Sequence, residues 1–398
     1  MFQSIIIIGS NPASRLALIR SVGKLENSRV KLIVLVLHEG KHNRPFDSYS
    51  KYVDSFYYAK KFDPEGLAKL LLNHLREENN KPIIMSVDDD SACMVDIIQD
   101  QLKPFFLYSH INFQAGAIAA LMDKQKQKEL AKQFGLNVVD SWTTTCENGK
   151  YTIPEGVRYP CFVKGNLCYH SAKQYQKRCD SRLELKEWLE VMSRSYPNPL
   201  LIEQFIDIDR EYGVIGYCNQ NDVIIPSIVE LIDGGHGGHK GVSAFGRVNN
   251  PSLNEDITNN IKKLMRFIRL SGMFNIDFVE SNGKWFFVEL NFRFAAYGYA
   301  VSCSGVNLPA FQILEKNSLN FSTLNKTVVE NYTYVNETIA FDDVLGGARS
   351  LKDYRILLNK ADCCIINQTD DPKPYIRFKK KMVVNYLKSI IKKIVKNN

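Results

Sequence analysis

A chain of 398 residues is longer than one simple core accommodates, so two or three domains are expected. An apolar share of 45% with 24% charged residues is that of a soluble globular protein, and no apolar run approaches the roughly 18 residues of a membrane span. The net charge of +8 belongs to the tail, where nine Lys or Arg and no acid follow Pro372. The remaining 42 basic and 43 acidic residues leave the body neutral, which argues against a general nucleic-acid-binding enzyme.

The stretch MFQSIIIIGSNP has neither a basic leader nor a small-residue cleavage site and is expected as a first strand, not a signal peptide. Nine cysteines, an odd count with no CxxC, favour reduced thiols and a cytoplasmic setting. Cys161, Cys168, His170 and Cys179 lie close together, but their spacing matches no common zinc pattern.

In chain order, Ser4–Gly9 is an apolar strand and Ser14–Val22 a helix, followed by a strand at Lys31–Leu37. Leu67, Leu70, Leu71 and Leu75 give helical spacing over Pro64–Glu78. Pro82–Val87 is a further strand, and Asp88-Asp89-Asp90 leads into a helix over Ser91–Gln101. This alternation predicts an N-terminal doubly wound parallel sheet with ligands at the strand C-terminal ends, although Gly9-Ser10-Asn11 lacks the glycine pattern of a dinucleotide site. Asp123-Lys124 opens a helix that Gly135 closes, and a strand is expected from Gly135-Leu136-Asn137-Val138. Tyr159–Lys164 is a short apolar strand ending on a lysine, a placement uncommon without an anionic partner. A helix at Leu183–Arg194 and strands at Leu200–Phe205 and Glu211–Tyr217 follow. The glycine-dense segment Ile232–Arg247 carries His236, His239 and Lys240 and reads as a mobile loop. A helix over Asn254–Ser271 then delivers the chain to its most informative stretch.

That stretch, NIDFVESNGKWFFVELNFRF, spans Asn275–Phe294. Strands Phe274–Glu280 and Trp285–Asn291 are joined by a tight Ser281-Asn282-Gly283-Lys284 turn. Residues two apart on a strand share a face, so Glu289, Asn291 and Arg293 point into one site, and the hairpin can bring Asp277 beside them. Two carboxylates and an amide oxygen suit magnesium and suit zinc poorly. The arginine can neutralise a phosphate or a substrate carboxylate. The plainer alternative is a half-buried hairpin with ordinary surface charges.

The order of a strand-end lysine, LIEQF, a glycine-rich basic loop and then Asp…Glu-x-Asn-x-Arg resembles the ATP-grasp superfamily over about residues 120–310. The resemblance implies a pre-ATP-grasp Rossmann-like domain over 1–115 and an ATP-grasp fold of two α+β lobes over 116–315, with a small C-terminal lobe over 316–372. By the same resemblance Lys124 and Lys164 hold the ATP phosphates. Glu203, Gln204 and Ile206 form the hinge that bonds adenine largely through backbone groups, and Glu211 takes the ribose hydroxyls. Asp277, Glu289 and Asn291 hold magnesium, for which manganese can substitute, and Arg293 sits near the transferring phosphate. Lys240, on the glycine-dense loop, is the candidate second catalytic cation, with His236 and His239 as acceptor-binding or basic groups. One departure is the segment after Lys164, Gly165-Asn166-Leu167-Cys168-Tyr169-His170-Ser171-Ala172-Lys173, which has a single glycine where relatives carry several; Lys173 can take part there.

In the tail, 373–398, Val383, Val384, Leu387, Ile390, Ile391, Ile394 and Val395 fall on one helical face flanked by lysines. A basic amphipathic helix of this kind lies on an anionic membrane surface, or docks on a protein body with its lysines outward.

The expected activity is an ATP-dependent carboxylate–amine ligase of the D-aspartate ligase type. It would form an amide or peptide-like bond through an acylphosphate, on small-molecule carboxylate and amine substrates such as cell-wall or exopolysaccharide precursors. It would lie in the cytoplasm or peripherally on the inner face of the membrane, with a homodimer left open and no nucleic-acid partner. Two other readings fit the same residues. One is an ATP-grasp enzyme with a different acceptor, of carboxylase or carbamoyl-forming type. The other is a catalytically silent, membrane-associated nucleotide-binding module.

Overall fold

The computed structural model describes residues 3–25, 28–38, 40, 42–168, 175–196, 198–220, 222–234 and 243–397. Lys240, His236, His239, His170 and Lys173 lie outside the described residues.

The chain opens with β1 (Gln3–Gly9), α1 (Pro12–Gly23), β2 (Ser28–Val36), β3 (Val53–Lys60), α2 (Pro64–His74), β4 (Ile83–Ser86), α3 (Asp89–Ile97) and α4 (Gln99–Leu102). The strands form a parallel sheet in the order β3-β2-β1-β4. Alternation in β1 explains why both faces are covered. Ile5 and Ile7 pack with Leu16 and Ile19 of α1, and Ile6 and Ile8 with Leu67, Leu71 and Met94 of α2 and α3. The doubly wound sheet read from the alternation is therefore present. Edge strand β3, VDSFYYAK, lacks the aliphatic Ile, Leu and Val run that makes the other three strands legible.

After β5 (His110–Ile111) and α5 (Ala117–Ala120), α6 (Lys124–Gln133) leads into a small antiparallel lobe. This lobe comprises β6 (Ser141–Thr144), β7 (Cys161–Gly165), β8 (Lys177–Cys179), α7 (Arg182–Ser195) and β9 (Leu200–Gln204), in strand order β6-β9-β7-β8. The strand expected from Gly135 begins only at Ser141. The intervening Asn137 instead accepts from Phe287 N at 2.8 Å and donates to Trp285 O at 3.1 Å. Cys161 and Cys179 face each other across β7 and β8, whereas Cys168 packs in a different core, so these thiols do not gather round a metal.

The largest sheet is built from β10 (Arg210–Asn219), β11 (Val223–Gly234), β12 (Ser243–Asn249), α8 (Glu255–Ile268), β13 (Leu270–Ser281) and β14 (Lys284–Asn291). Ile257, Ile261, Leu264, Met265 and Ile268 are the buried face of α8. The helix stops short of the expected Ser271 because Arg269 turns left-handed at φ 60°, and β13 begins at the next residue. Left-handed Asn282 and Gly283 make the hairpin turn, as the Asn-Gly pair requires. Strand β11 also runs into the segment expected as loop, reaching Gly234, and β12 resumes at Ser243.

Beyond α9 (Gly298–Cys303) and α10 (Leu308–Lys316) come β15 (Tyr332–Val335), α11 (Glu337–Gly346), α12 (Leu351–Lys360) and β16 (Cys363–Cys364). Strand β15 pairs with β12 and β16 with β15, so the lobe expected over 316–372 is built onto the central sheet, whose order is β14-β13-β10-β11-β12-β15-β16 with β5 beside β13. The following turn clamps to the N-terminal sheet's helix. Arg20 lies 3.1 Å from Asp371 and donates to Ile366 O, all three fully buried.

Helix α13 (Lys373–Asn397) occupies the tail read from the sequence as an amphipathic helix. Tyr375, Phe378, Met382 and Tyr386 pack it on the body, with the Phe378 ring 5.4 Å from Phe46. Val383, Val384, Leu387 and Ile391 are each at least half exposed. The helix therefore has two apolar stripes, and the one marked by the sequence faces away from the body. Among the described residues no helix is long and apolar enough to cross a membrane.

Candidate functional site

The hairpin β13–β14 places Asp277 directly opposite Glu289 and Asn275 opposite Asn291. A β-bulge follows at once, between Asp277 and Phe278, bending the strand where the acidic pair sits. Asn291 donates to Asp277 Oδ2 at 3.3 Å, and Asn275 donates to Asp277 Oδ1 at 2.9 Å. Asn291 is fully buried, and its Oδ1 has no hydrogen-bond partner. A buried orphan acceptor beside two carboxylates is costly unless something electron-poor completes it. A hard cation with oxygen ligands fits that donor set, so Asp277, Glu289 and Asn291 can together hold magnesium. Tyr297 donates to Asn275 Oδ1, and Gly213 opposite Asp277 admits its ring, since a Cβ there would lie 2.1 Å from the hydroxyl.

Helix α6 is locked to this floor. The Gln127 amide accepts from Leu290 N at 2.8 Å and donates to Leu290 O at 2.7 Å, a two-way clamp on β14. One turn earlier, Lys124 Nζ comes within 3.4 Å of Glu289 Oε2 and is nearly buried. Burial alone would push this lysine down. The acidic groups of Cys168, Glu289 and Asp89 outweigh it and hold the ammonium charged well above its usual range.

One turn later, Lys128 meets the second lysine of the site through a shared carboxylate. Glu203 Oε1 lies 2.5 Å from Lys128 Nζ and Glu203 Oε2 lies 2.8 Å from Lys164 Nζ. Burial raises the Glu203 carboxyl, but Lys164 and Lys128 overcome this and hold it at about 2. Burial pushes Lys128 down; Glu203 opposes it, while neighbouring Lys164 adds to it. The Glu203 side chain is thus turned inward, onto the two lysines. Gln204 is fastened through its N to Asp140 O and its side chain to Pro160 O. Ile206 follows two residues on, outside the strand, and Glu211 stands half-buried at the start of β10.

Arg293, just past β14, lies 3.2 Å from Asp89 at the start of α3. Burial would lower its charge affinity, but Asp89, Asp277 and Glu289 raise it well above the usual arginine range. Lys124, Asp277, Glu289, Asn291 and Arg293 therefore converge, and Lys164 joins Glu203 on the facing lobe. Lys128, Asp89 and Tyr297 belong to the same surroundings but carry no sequence assignment. Lys128 was legible as the i+4 partner of Lys124, and Asp89 as an acid at a strand C-terminal end. Among the described residues no three His, Cys, Asp or Glu converge as a metal cluster.

Residues 123–313 match the family model for the ATP-binding domain of the carbamoyl-phosphate synthase L chain. The chain is 27% identical over 176 residues to the carbamoyl phosphate synthase large chain of Methanosarcina acetivorans, a match covering 43% of this chain and 16% of that relative. It thus spans less than a fifth of that relative's length. In fold it is similar to the L-amino acid ligase of Bacillus licheniformis, with a TM-score of 0.59 and 14% identity, covering 83% of this chain and 78% of that one. It is also similar to the biotin carboxylase domain of Hydrogenobacter thermophilus 2-oxoglutarate carboxylase in complex with MgADP, ADP and bicarbonate, with a TM-score of 0.63 and 13% identity, covering 84% and 73%.

Proposed function

Residues 123–313 belong to the ATP-grasp superfamily, and from that premise we propose that the protein is an ATP-dependent ligase joining a carboxylate to an amine. The observation that carries this reading is the fully buried, unpartnered Asn291 Oδ1 beside Asp277 and Glu289, with Lys124 and Arg293 on either side. Two carboxylates, an amide oxygen and several cations form what a nucleoside triphosphate with its magnesium needs, since phosphoryl transfer is catalysed mainly by positioning and charge neutralisation.

In this reading the carboxylate oxygen attacks the γ-phosphorus of ATP, the bond to ADP breaks, and an acylphosphate forms. The amine then attacks the acyl carbon, loses a proton, and phosphate leaves as the carbon–nitrogen bond closes. Asp277, Glu289 and Asn291 hold magnesium, which when bound screens the phosphate charge. Lys124 and Lys164 hold phosphate oxygens, Glu211 the ribose, and the backbone of Gln204 to Ile206 the adenine. Arg293 stabilises charge developing on the transferred group. Lys240 remains a proposed second cation.

The exposed stripe of α13 favours a precursor held at a membrane as the acceptor. Val383, Val384, Leu387 and Ile391 face outward from a segment rich in lysine and free of acid, the pattern that rests on anionic lipid. Cell-wall and exopolysaccharide precursors are of that class. The competing readings are a carboxylase-type or carbamoyl-forming acceptor and a silent nucleotide-binding module.

The test is an ADP-release screen crossing carboxylates with amino acids and bicarbonate, read by mass spectrometry. With an ¹⁸O-labelled carboxylate the reading requires one label in the released phosphate and a condensed product. Nucleotide binding without turnover across the panel would leave only the silent module.

A further inference from the structure

Three consecutive acids, Asp88, Asp89 and Asp90, follow β4, and each has a different partner. Asp88 takes Ser10 N and Oγ at 2.6 and 2.7 Å on one oxygen and Ser91 N at 2.9 Å on the other, which ties the ends of β1 and β4 to the first turn of α3. Those hydrogen bonds hold its carboxyl below the usual range despite burial. Asp90 pairs with Lys61 at 3.1 Å, within the N-terminal sheet's own surroundings. Asp89 turns the other way and meets Arg293, 204 residues further along the chain.

The backbone around that pair is fixed on both sides. Phe294, the residue after Arg293, donates its N–H to Ser86 O at 3.2 Å, at the very end of β4. Gly9 lets the end of β1 approach this turn, since a Cβ there would lie 2.3 Å from Val87 Cγ2. The Asp88 cap then sets where Asp89 begins the helix. The Asp89 carboxylate reaches Arg293 from the first residue of α3 and is about one-fifth exposed like its partner.

We propose that Asp89 is a positioning residue for Arg293, through which the N-terminal sheet becomes part of the reaction centre. The proposal rests on the ligase reading above. The other carboxylates that act on the guanidinium are Asp277 and Glu289, which the same reading gives to magnesium. An arginine freed from Asp89 turns toward those two, competes with the cation and leaves the place of the transferred phosphate. Asp89 holds it where the end of β4 meets the chain just past β14. This makes two demands that mere packing does not: the reactivity of Arg293, and the magnesium dependence of turnover, must both follow the charge at position 89.

The experiment compares the full chain with Asp89→Asn, Asp89→Glu and Asp90→Asn. Arg293 modification by phenylglyoxal is followed by peptide mass spectrometry, and ADP release is titrated with magnesium. Asp89→Asn is expected to raise the modification rate at least about fivefold, to lower kcat about 100-fold with little change in KM for ATP, and to raise the magnesium requirement about tenfold. Asp89→Glu recovers a substantial part of each. Asp90→Asn, which strips a neighbouring ion pair from the same helix, leaves all three at wild-type values. An unchanged modification rate in Asp89→Asn overturns the proposal, as does an unchanged magnesium requirement or an equal response from Asp90→Asn. A wild-type chain that releases no ADP with any substrate pair sinks the ligase reading instead; the modification rates still decide whether Asp89 holds Arg293.

Discussion

Lys164 Nζ lies 2.8 Å from Glu203 Oε2, and both residues are more than nine-tenths buried. A lysine at the end of β7 is therefore neutralised by an acid on its neighbour β9, while the other oxygen of that acid takes Lys128 from α6. One carboxylate faces two ammoniums, leaving a net positive charge in this group. An anion such as a polyphosphate is the natural complement.

Glu203→Gln is expected to be the most costly substitution in this group, at about 3–5 kcal/mol by urea denaturation, because it leaves two buried lysines uncompensated. Lys164→Met, which leaves Lys128 to pair with Glu203, costs about 1–2 kcal/mol. The ordinary glutamate value is 4.5 and the folded one about 2, so the stabilisation is complete above 4.5 and is lost as pH falls through about 2. The deficit of Glu203→Gln thus shrinks on acidification. A deficit independent of pH contradicts the assignment.

Glu337 has the opposite sign. Burial pushes its carboxyl from 4.5 up to about 7, although Ile366 N and Asn367 N donate to it. Between 4.5 and 7 the folded chain holds the extra proton, so this group's stabilisation is present below 4.5 and gone above 7. Glu337→Gln should gain Tm relative to the wild type as pH rises across that window, as scanning calorimetry at pH 5 and 7.5 can show. A constant offset rules this out.

The two stripes of α13 separate by mutation. Phe378→Ala, on the docked stripe, should cost about 3–5 kcal/mol. Val384→Glu with Leu387→Glu, on the exposed stripe, changes stability by less than about 1 kcal/mol but abolishes co-sedimentation with anionic vesicles. Equal sedimentation of the double variant and the parent chain removes the membrane reading.

Gly213→Ala tests the crowding over the metal floor. Its new methyl would collide with the Tyr297 hydroxyl, which lies against Asn275 and hence Asp277. Loss of ADP release by at least about 10-fold is expected, with partial recovery in Gly213→Ala with Tyr297→Phe. Full activity in the single variant shows that the tyrosine is not held there.

The parts of the site that lie close in sequence were legible in it. Asn-Gly with alternating apolar residues specifies the β13–β14 hairpin, and a period of two then puts Asp277, Glu289 and Asn291 together. The pairings that depend on distant segments were not. No local pattern links Lys128 to Glu203, 75 positions apart, or Asp89 to Arg293; both require the packing of α6 on β9 and of β4 against the end of β14. The helix over 373–397 shows a related limit. Counting one apolar face found Val384 and Leu387, whereas Phe378, Met382 and Tyr386 form a second stripe whose partner, Phe46, is more than 300 residues away. Strand β3 and the joining of β15 to β12 depend likewise on neighbours.

The most direct measurement is magnesium-dependent ADP release by the wild-type chain, Glu289→Ala and Asn291→Ala, with folding checked by circular dichroism. The metal-floor assignment requires both variants to fold as the parent does and to lose at least about 1,000-fold in turnover. ADP release by folded Glu289→Ala at the parent's rate would contradict it.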